Sequence, residues 1–396
     1  MSSSDPLVTS VRVIAHTASA RSTWVMVQVV AKELAGVGEL SDGGPAGVLV
    51  AAARSLEALA VGRPVSTARV AVRDVLEHRR ETSGVADAFF WSTVLGGYES
   101  AFADLSARVQ GSPLSTALGL GPPAPVRAYA NLNRRWGTHS ADVLCEQAAL
   151  AAHSGYAAVK IAPFSWASSH GATGEDVVPI GLDLAATVRD ALPPDTLLML
   201  DCHHLVPAHL IDVAATEMAA LQPFWVEDLV DFTDGVTVHR SSVSELPLAA
   251  GEHVWDPAVA ARACASGALS YWLVDPKHAG GPAGTRRVVD AVKGIEGVAV
   301  TFHNPSGPVG TAHAAHLAGL AGESTWLEIG WGENDRTTLL EPPERVVDGA
   351  VVLSTSPGIG NDVAAGAPGR DEFAVQEMSV LTGPIEPAPR SAGELS

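Results

Sequence analysis

Acidic residues follow apolar runs at regular intervals in the middle of the chain. Asp201, Glu227 and Glu252 are separated by 26 and 25 residues, which is about one strand and one helix. If these strands are neighbours in a parallel sheet, their carboxyl ends meet at one edge and bring the three carboxylates together. Three anions that close repel one another unless a cation lies between them. Oxygen-only ligands favour a hard ion over Zn²⁺, so the spacing predicts a Mg²⁺ site, with one salt-bridged acid as the alternative.

A second group of ionisable residues fits acid–base chemistry. Asp275 and His303 are 28 residues apart on consecutive predicted strands. A neighbouring carboxylate fixes the tautomer of an imidazole and raises its basicity, which makes His303 a candidate general base; a core histidine satisfied by its neighbour is the alternative. Lys160 should point into the same space, where a buried ammonium needs carboxylates or a substrate anion as its partner. We expect Glu328 across from the metal ligands, as a donor to an oxyanion if protonated, or otherwise in a salt bridge.

Other polar residues near the predicted strand ends are candidates for substrate contacts. The stretch LLMLDCHH, residues 197–204, ends a buried strand with Asp201 and His203. These two positions share one face of a strand, and Cys202 takes the other. His253 follows Glu252 and could reach a substrate, as could the residues after the first strand of this region: Asn131, Asn133 and Arg135. Packing or surface roles are predicted for His204, His313 and His316.

The elements that must position these residues alternate between strands and helices. Eight apolar strand candidates occur between residues 126 and 329, with helical stretches such as SADVLCEQAALAAHSG between them. Eight βα units are the pattern of a TIM-type (β/α) barrel. The strand candidates span 126–132, 156–162, 197–201, 224–228, 246–252, 271–275, 298–303 and 325–329.

The remainder of the chain predicts a smaller α+β unit. Residues 7–40 are rich in Val and Thr and predict an antiparallel hairpin or meander, and residues 44–120 show helical periodicity. The Gly/Pro-rich stretch GLGPPAPV, 119–126, is the predicted boundary. We predict an α+β domain at 1–125, a barrel at 126–340, a C-terminal segment at 341–382 and a loose tail at 383–396.

Composition limits the partners. The formal net charge of −19 argues against nucleic acid and an anionic membrane surface. Three cysteines without CxxC spacing predict a reducing cytoplasm, and no apolar run reaches the length of a membrane span. A small anionic substrate is compatible with this charge if a local cation offsets it.

The order and spacing of these polar positions resemble the enolase superfamily, in its mandelate racemase subgroup. The resemblance rests on Asp201, Glu227, Glu252, the Asp275–His303 pair in VDPKHAGG and FHNPSGPVG, and Glu328 in WLEI. It implies a capping domain made by the N-terminal region and by the C-terminal segment that contains PGIGNDV. It also implies a Mg²⁺-stabilised enediolate, specificity loops near His16 and Trp24, and a homo-oligomer.

One departure from the subgroup narrows the expected reaction. Many relatives have Lys-x-Lys after the second strand, but this chain has Lys160 and then Ala162. A two-base racemisation is therefore disfavoured, and DCHH resembles the acid-sugar dehydratases, in which His203 would be the acid for the leaving hydroxide. The resemblance implies dehydration of a sugar acid to a 2-keto-3-deoxy acid. Epimerisation, cycloisomerisation and a catalytically silent binding protein are the alternatives.

Overall fold

The N-terminal region begins with an antiparallel meander. The computed structural model describes residues 5–19, 22–133, 140–232, 246–323 and 325–364. Strand β1 pairs with β2, and β2 pairs with β3 across a turn at Lys32, whose left-handed φ of 56° reverses the chain. The predicted meander is confirmed. The three strands are β1 (Val8–Thr17), β2 (Thr23–Ala31) and β3 (Leu34–Glu39).

Five helices follow and cover this sheet. They are α1 (Ala46–Arg54), α2 (Glu57–Ala60), α3 (Val65–Thr82), α4 (Val85–Gln110) and α5 (Leu114–Ala117). Helix α4 crosses β3 at very short range, because a Cβ added at Gly38 would lie 2.0 Å from the carbonyl oxygen of Gly97. The glycine therefore allows strand and helix backbones to touch. At the end of β3, the Glu39 carboxylate accepts hydrogen bonds from the backbone N–H groups of Gly307 and Gly310 in the second domain.

Eight parallel strands then close into a barrel, with β11 pairing back to β4. The predicted TIM-type barrel with an α+β capping domain is confirmed, and the strand ends differ from the predicted ones by no more than three residues. The barrel strands are β4 (Val126–Asn131), β5 (Ala158–Ile161), β6 (Leu197–Asp201), β7 (Trp225–Glu227), β8 (Leu248–Ala250), β9 (Leu269–Val274), β10 (Ala299–Phe302) and β11 (Leu327–Gly330).

The helices between these strands pack around the barrel. They are α6 (Ala141–His153), α7 (Pro163–Ser169), α8 (Val177–Ala191), α9 (Ile211–Ala220), α10 (Pro257–Ala265), α11 (Gly281–Val292) and α12 (Pro308–Leu317). Two of these helices begin at side-chain N-caps: Ser140 accepts a backbone N–H bond at the start of α6, and Asp256 accepts one at the start of α10. No helix among the described residues is long and apolar enough to cross a membrane.

Apolar side chains fill the barrel interior, so the polar groups are confined to one end. Tyr129, Met199, Trp225 and Leu273, from four of the barrel strands, belong to one buried cluster. A packed interior of this kind is usual for an eight-stranded barrel. The carboxyl ends of the strands therefore form the floor of the candidate site.

The described part of the C-terminal segment returns to the capping domain. Strand β12 (Leu340–Glu341) pairs with β15 (Asp362–Val363), and Ile359 packs in one cluster with Val37 and Leu114. Before it, β13 (Val346–Val347) and β14 (Ala350–Val351) form a hairpin that adds to β4. The predicted tail at 383–396 lies outside the described residues, and the domain limits remain predictions.

Candidate active site

Lys160 lies at the centre of the buried carboxylates. Its Nζ donates to both oxygens of Glu227 at 3.0 Å and to Glu328 Oε2 at 3.2 Å, and it is 3.7 Å from Asp201 Oδ2. The residue is fully buried, and although burial lowers its pKa, the attraction of Glu227 and Glu328 outweighs that effect and raises the pKa well above the usual value. Lys160 is therefore held as an ammonium ion among anions, as its position in the sequence predicts.

Glu328 lies on β11, four strands away from Glu227 on β7 in the eight-stranded barrel, so it is across the barrel from the metal ligands, where the sequence places it. Lys160 bridges the two carboxylates. The Glu328 carboxylate accepts hydrogen bonds from the Tyr129 hydroxyl at 3.0 Å and from Asn131 Nδ2, in addition to Lys160. Lys160 forms with Glu328 the salt bridge that is the alternative prediction, and the role of Glu328 as a donor to an oxyanion stays a prediction.

His303 bridges the acid–base pair and the carboxylates. Its Nδ1 donates to Asp275 Oδ2 at 2.9 Å, and its Nε2 is 2.8 Å from Glu252 Oε2. Burial lowers the pKa of His303, but Glu252 and Glu328 outweigh it and raise that pKa well above the usual value. The predicted contact between Asp275 and His303 is present, and it leaves Nε2 as the nitrogen that faces the site.

Asp275 is held in place by residues that follow it in the chain. Lys277 donates through its backbone N–H and its ammonium to the Asp275 carboxylate, each at 2.8 Å. Burial would raise the pKa of Asp275, but Lys277 and then His278 lower it well below its usual range. Asp275 is therefore held in its ionised form, which accepts the hydrogen bond from His303 Nδ1. Sequence analysis missed Lys277, although the Lys two residues after the Asp in VDPKHAGG was a visible signal.

His203 reaches the site even though its strand has already ended. Strand β6 stops at Asp201, and His203 has a left-handed φ of 45°. Its Nε2 is 2.8 Å from Asp201 Oδ2, and its Nδ1 is 2.6 Å from Ser165 Oγ. Burial lowers the pKa of His203, but Asp201 outweighs it and raises the pKa to about 9. The expected shared direction of Asp201 and His203 is thus achieved by a turn and not by strand alternation.

One cavity of about 240 Å³ opens onto these groups. Asn131, Asn133 and His253, three of the predicted substrate contacts, are among the residues that line it. Two further ionisable residues that line the cavity were missed. Asp42 follows β3 of the capping domain and accepts a hydrogen bond from Ser306, and His278 is bonded to Thr93 through Nδ1 at 2.9 Å. Asp42 could not be assigned from sequence, because only the domain contact brings it to the barrel.

The other predicted substrate contacts lie elsewhere. Trp24 is 2% exposed in the apolar cluster between the domains, and His16 stacks on it with ring centroids 5.5 Å apart. Neither is among the described residues that line the cavity, so a direct substrate contact of Trp24 does not fit its burial. Arg135 lies outside the described residues.

The carboxylates fit a divalent cation. Glu227, Glu252 and His303 each offer an atom within 4.8 Å of the others. Asp201 is not part of that group, but it lies beside Glu227 in the β6–β7 register and faces the same cavity. Burial raises the pKa of Glu227 to about 8 despite the contact with Lys160. The single positive charge of Lys160 therefore does not balance the negative charges of these carboxylates. A bound divalent cation would supply the missing positive charge.

A family model described as the enolase C-terminal domain-like family matches residues 143–367, more than half of the chain. The chain belongs to this superfamily. Its fold is shared with a mandelate racemase/muconate lactonizing enzyme-like protein of Rubrobacter xylanophilus, at a TM-score of 0.77, 23% identity and coverage of 92% of this chain and all of the other. An enolase superfamily member of Salmonella Typhimurium matches with a TM-score of 0.72, 21% identity and coverage of 91% and 96%.

Curated relatives of this superfamily member are sugar acid dehydratases. A D-gluconate dehydratase of Thermoproteus tenax is 26% identical over 290 residues, which cover 72% of this chain and 57% of that protein. A D-gluconate/D-galactonate dehydratase of Picrophilus torridus is 24% identical over 283 residues, covering 68% of each chain. The matches span between 48% and 68% of the length of the curated relatives. The chain shares the superfamily of these enzymes, and its own activity is a matter for proposal.

Proposed function

We propose that this protein is a Mg²⁺-dependent dehydratase of a sugar acid, converting it to a 2-keto-3-deoxy acid in the cytoplasm as a homo-oligomer. The observation that carries the proposal is that, among the four imidazoles lining one cavity, His203 and His303 follow β6 and β10, which lie on opposite sides of the barrel. Removal of water across two carbons needs a base at one carbon and an acid at the next. The sugar acid dehydratases among its relatives support the same reaction.

Asp201, Glu227 and Glu252 would hold the metal ion. When bound, Mg²⁺ supplies a Lewis acid that lowers the energy of negative charge on a carboxylate substrate. Lys160 is fixed against Glu227 and Glu328 and adds a permanent positive charge at the floor of the same site. A fixed ammonium stabilises charge that develops on the substrate oxygens without having to reorient.

His303 would remove the α-proton through Nε2. Its Nδ1 proton is committed to Asp275, which orients the ring toward the cavity. In the structure Nε2 faces Glu252 Oε2 at 2.8 Å. His303 can act as a base only when its Nε2 is unprotonated. The neighbouring Glu252 carboxylate favours a proton on that nitrogen, unless a metal ion takes up the negative charge of Glu252. The assignments of Glu252 as a metal ligand and His303 as a base therefore depend on each other.

His203 would protonate the departing hydroxyl group. Ser165 and Asp201 contact its two ring nitrogens, and 35% of its side chain remains exposed toward the cavity. Asn131, Asn133 and His253 would contact the substrate hydroxyls, and Asp42 adds an acceptor from the capping domain. Two hydroxyl-binding surfaces from different domains suit a polyhydroxy acid better than an apolar carboxylate.

A substrate screen tests the proposal. The full chain is incubated with aldonic and aldaric acids in excess Mg²⁺, with a parallel series in EDTA, and 2-keto acid is measured as its semicarbazone. We expect keto acid from one or a few diastereomers and none in EDTA. Deuterium exchange at the α-carbon without keto acid would assign the chain to epimerisation, and neither keto acid nor exchange with any acid would overturn the proposal.

A further inference from the structure

A second group of metal-ligating side chains lies next to the candidate active site. Asp228, Glu252 and His253 each offer an atom within 4.8 Å of the others. They line a separate cavity of about 40 Å³, together with His204 and Trp272. Such a volume accommodates one ion with a water molecule and excludes an organic substrate.

The two oxygens of Glu252 face different partners. Oε2 is 2.8 Å from His303 Nε2, on the side of the candidate active site. Oε1 is 3.1 Å from His253 Nδ1, on the side of the small cavity. One carboxylate can bridge two metal ions in this way. The use of Glu252 Oε1 and His253 Nδ1 therefore leaves Glu252 Oε2 and His253 Nε2 for the roles assigned to these two residues above.

Asp228 supplies a buried carboxylate to the small cavity. Only 6% of its side chain is exposed. In the described part of the chain it has one oppositely charged neighbour within 4 Å, which is His204 Nε2 at 3.5 Å from Oδ2. A buried carboxylate needs a cation or several hydrogen-bond donors to remain charged. The His204 imidazole, 3.5 Å away, is one weak donor and does not replace a cation or several hydrogen-bond donors.

The donor atoms around this cavity differ from those of the candidate Mg²⁺ site. Two imidazoles, from His204 and His253, join two carboxylates, from Asp228 and Glu252. Imidazole and carboxylate donors at bond lengths of about 2.0–2.2 Å are typical of four-coordinate Zn²⁺, whereas oxygen donors alone favour Mg²⁺. We propose that Asp228, Glu252 and His253 bind one transition-metal ion of the Zn²⁺ class beside the active site, with a water molecule as the fourth ligand.

Cobalt absorption tests this site, because four-coordinate Co²⁺ with nitrogen ligands absorbs visible light far more strongly than six-coordinate Co²⁺ among oxygens. The full chain is stripped of metal, saturated with Mg²⁺ and titrated with Co²⁺. We expect one strongly absorbing ion per chain, displaced by one equivalent of Zn²⁺. Asp228→Asn and His253→Gln should each weaken its binding by at least about 100-fold, because a change in a ligand should cost no less than a change in a residue that only supports a ligand.

Two controls separate this site from its surroundings. His209→Gln removes an exposed imidazole whose partner among the described residues is Glu175, 2.8 Å away, and should leave the band unchanged. Glu227→Gln should weaken Mg²⁺ binding but retain the band, so the outcome is independent of the proposed reaction. His253 is 57% exposed, so its variant should fold even if Asp228→Asn does not. A missing band, or a band that survives His253→Gln and is lost in Glu227→Gln, would overturn the proposal.

Discussion

Replacement of Lys160 by methionine tests whether the carboxylate cluster depends on positive charge. The substitution keeps the length of the side chain and removes an ammonium that contacts Glu227 and Glu328 within 3.2 Å. All three side chains are at most 1% exposed, so water cannot compensate. Breaking one partner out of a buried ion pair costs about 3–5 kcal/mol. We expect the metal-free variant to lose that much free energy of unfolding.

Metal binding should restore part of this loss. A ligand that binds only the folded state stabilises it by about 2.7 kcal/mol at a concentration 100 times its Kd. Lys160→Met also removes a cation that competes for the same carboxylates. Excess Mg²⁺ should therefore raise the stability of Lys160→Met by more than it raises that of the unaltered chain.

Urea unfolding in EDTA and in Mg²⁺, for the variant and the unaltered chain, measures both effects. Lys293→Met is the matched control, because the Lys293 ammonium donates to the Leu320 carbonyl and to no carboxylate in the described structure. Its cost should be about 0.5–1.5 kcal/mol, as for one ordinary hydrogen bond. Equal losses in Lys160→Met and Lys293→Met, with equal responses to Mg²⁺, would refute the reasoning.

Three further substitutions or conditions test separate parts of the structure. Asp275→Asn should lower the rate of keto acid formation by about 10²–10⁴-fold, the range for a positioned acid or base, because the amide cannot hold the His303 ring as the carboxylate does; steady-state kinetics would show it. Glu39→Gln should cost about 1–3 kcal/mol in urea unfolding, because its carboxylate accepts the Gly307 and Gly310 N–H groups at 2.7 and 2.8 Å and joins the capping domain to α12. Burial lowers the pKa of His316 from 6.5 to about 4, so the unfolded chain binds the proton first, and stability should fall by roughly 3 kcal/mol as the pH drops from 6.5 to 4. Between pH 6.5 and 4, the urea midpoint of His316→Asn should fall less than that of the unaltered chain. An equal fall in both would contradict the assignment of this pH dependence to His316.

Regular spacing made the barrel predictable from the sequence. The sequence predicts the limits of strand β6 correctly, because apolar residues run without interruption into Asp201. It also predicts Lys160 among the carboxylates, because a buried ammonium must be paired with an anion. The turn at His203 was not foreseeable from strand alternation, since its left-handed φ belongs to a loop. Asp42 reaches the cavity through a contact between residues 264 positions apart, a distance at which local patterns carry no information.

The rate of keto acid formation by His303→Asn tests the central claim most directly. With an acid that the unaltered chain converts, and with saturating Mg²⁺, we predict a loss of at least about 10²-fold, because the asparagine amide cannot accept the α-proton. His209→Asn, a change in an exposed histidine paired with Glu175, provides the matched comparison and should retain full activity. If His303→Asn kept its rate within tenfold of His209→Asn, the assignment of His303 as the base would be contradicted.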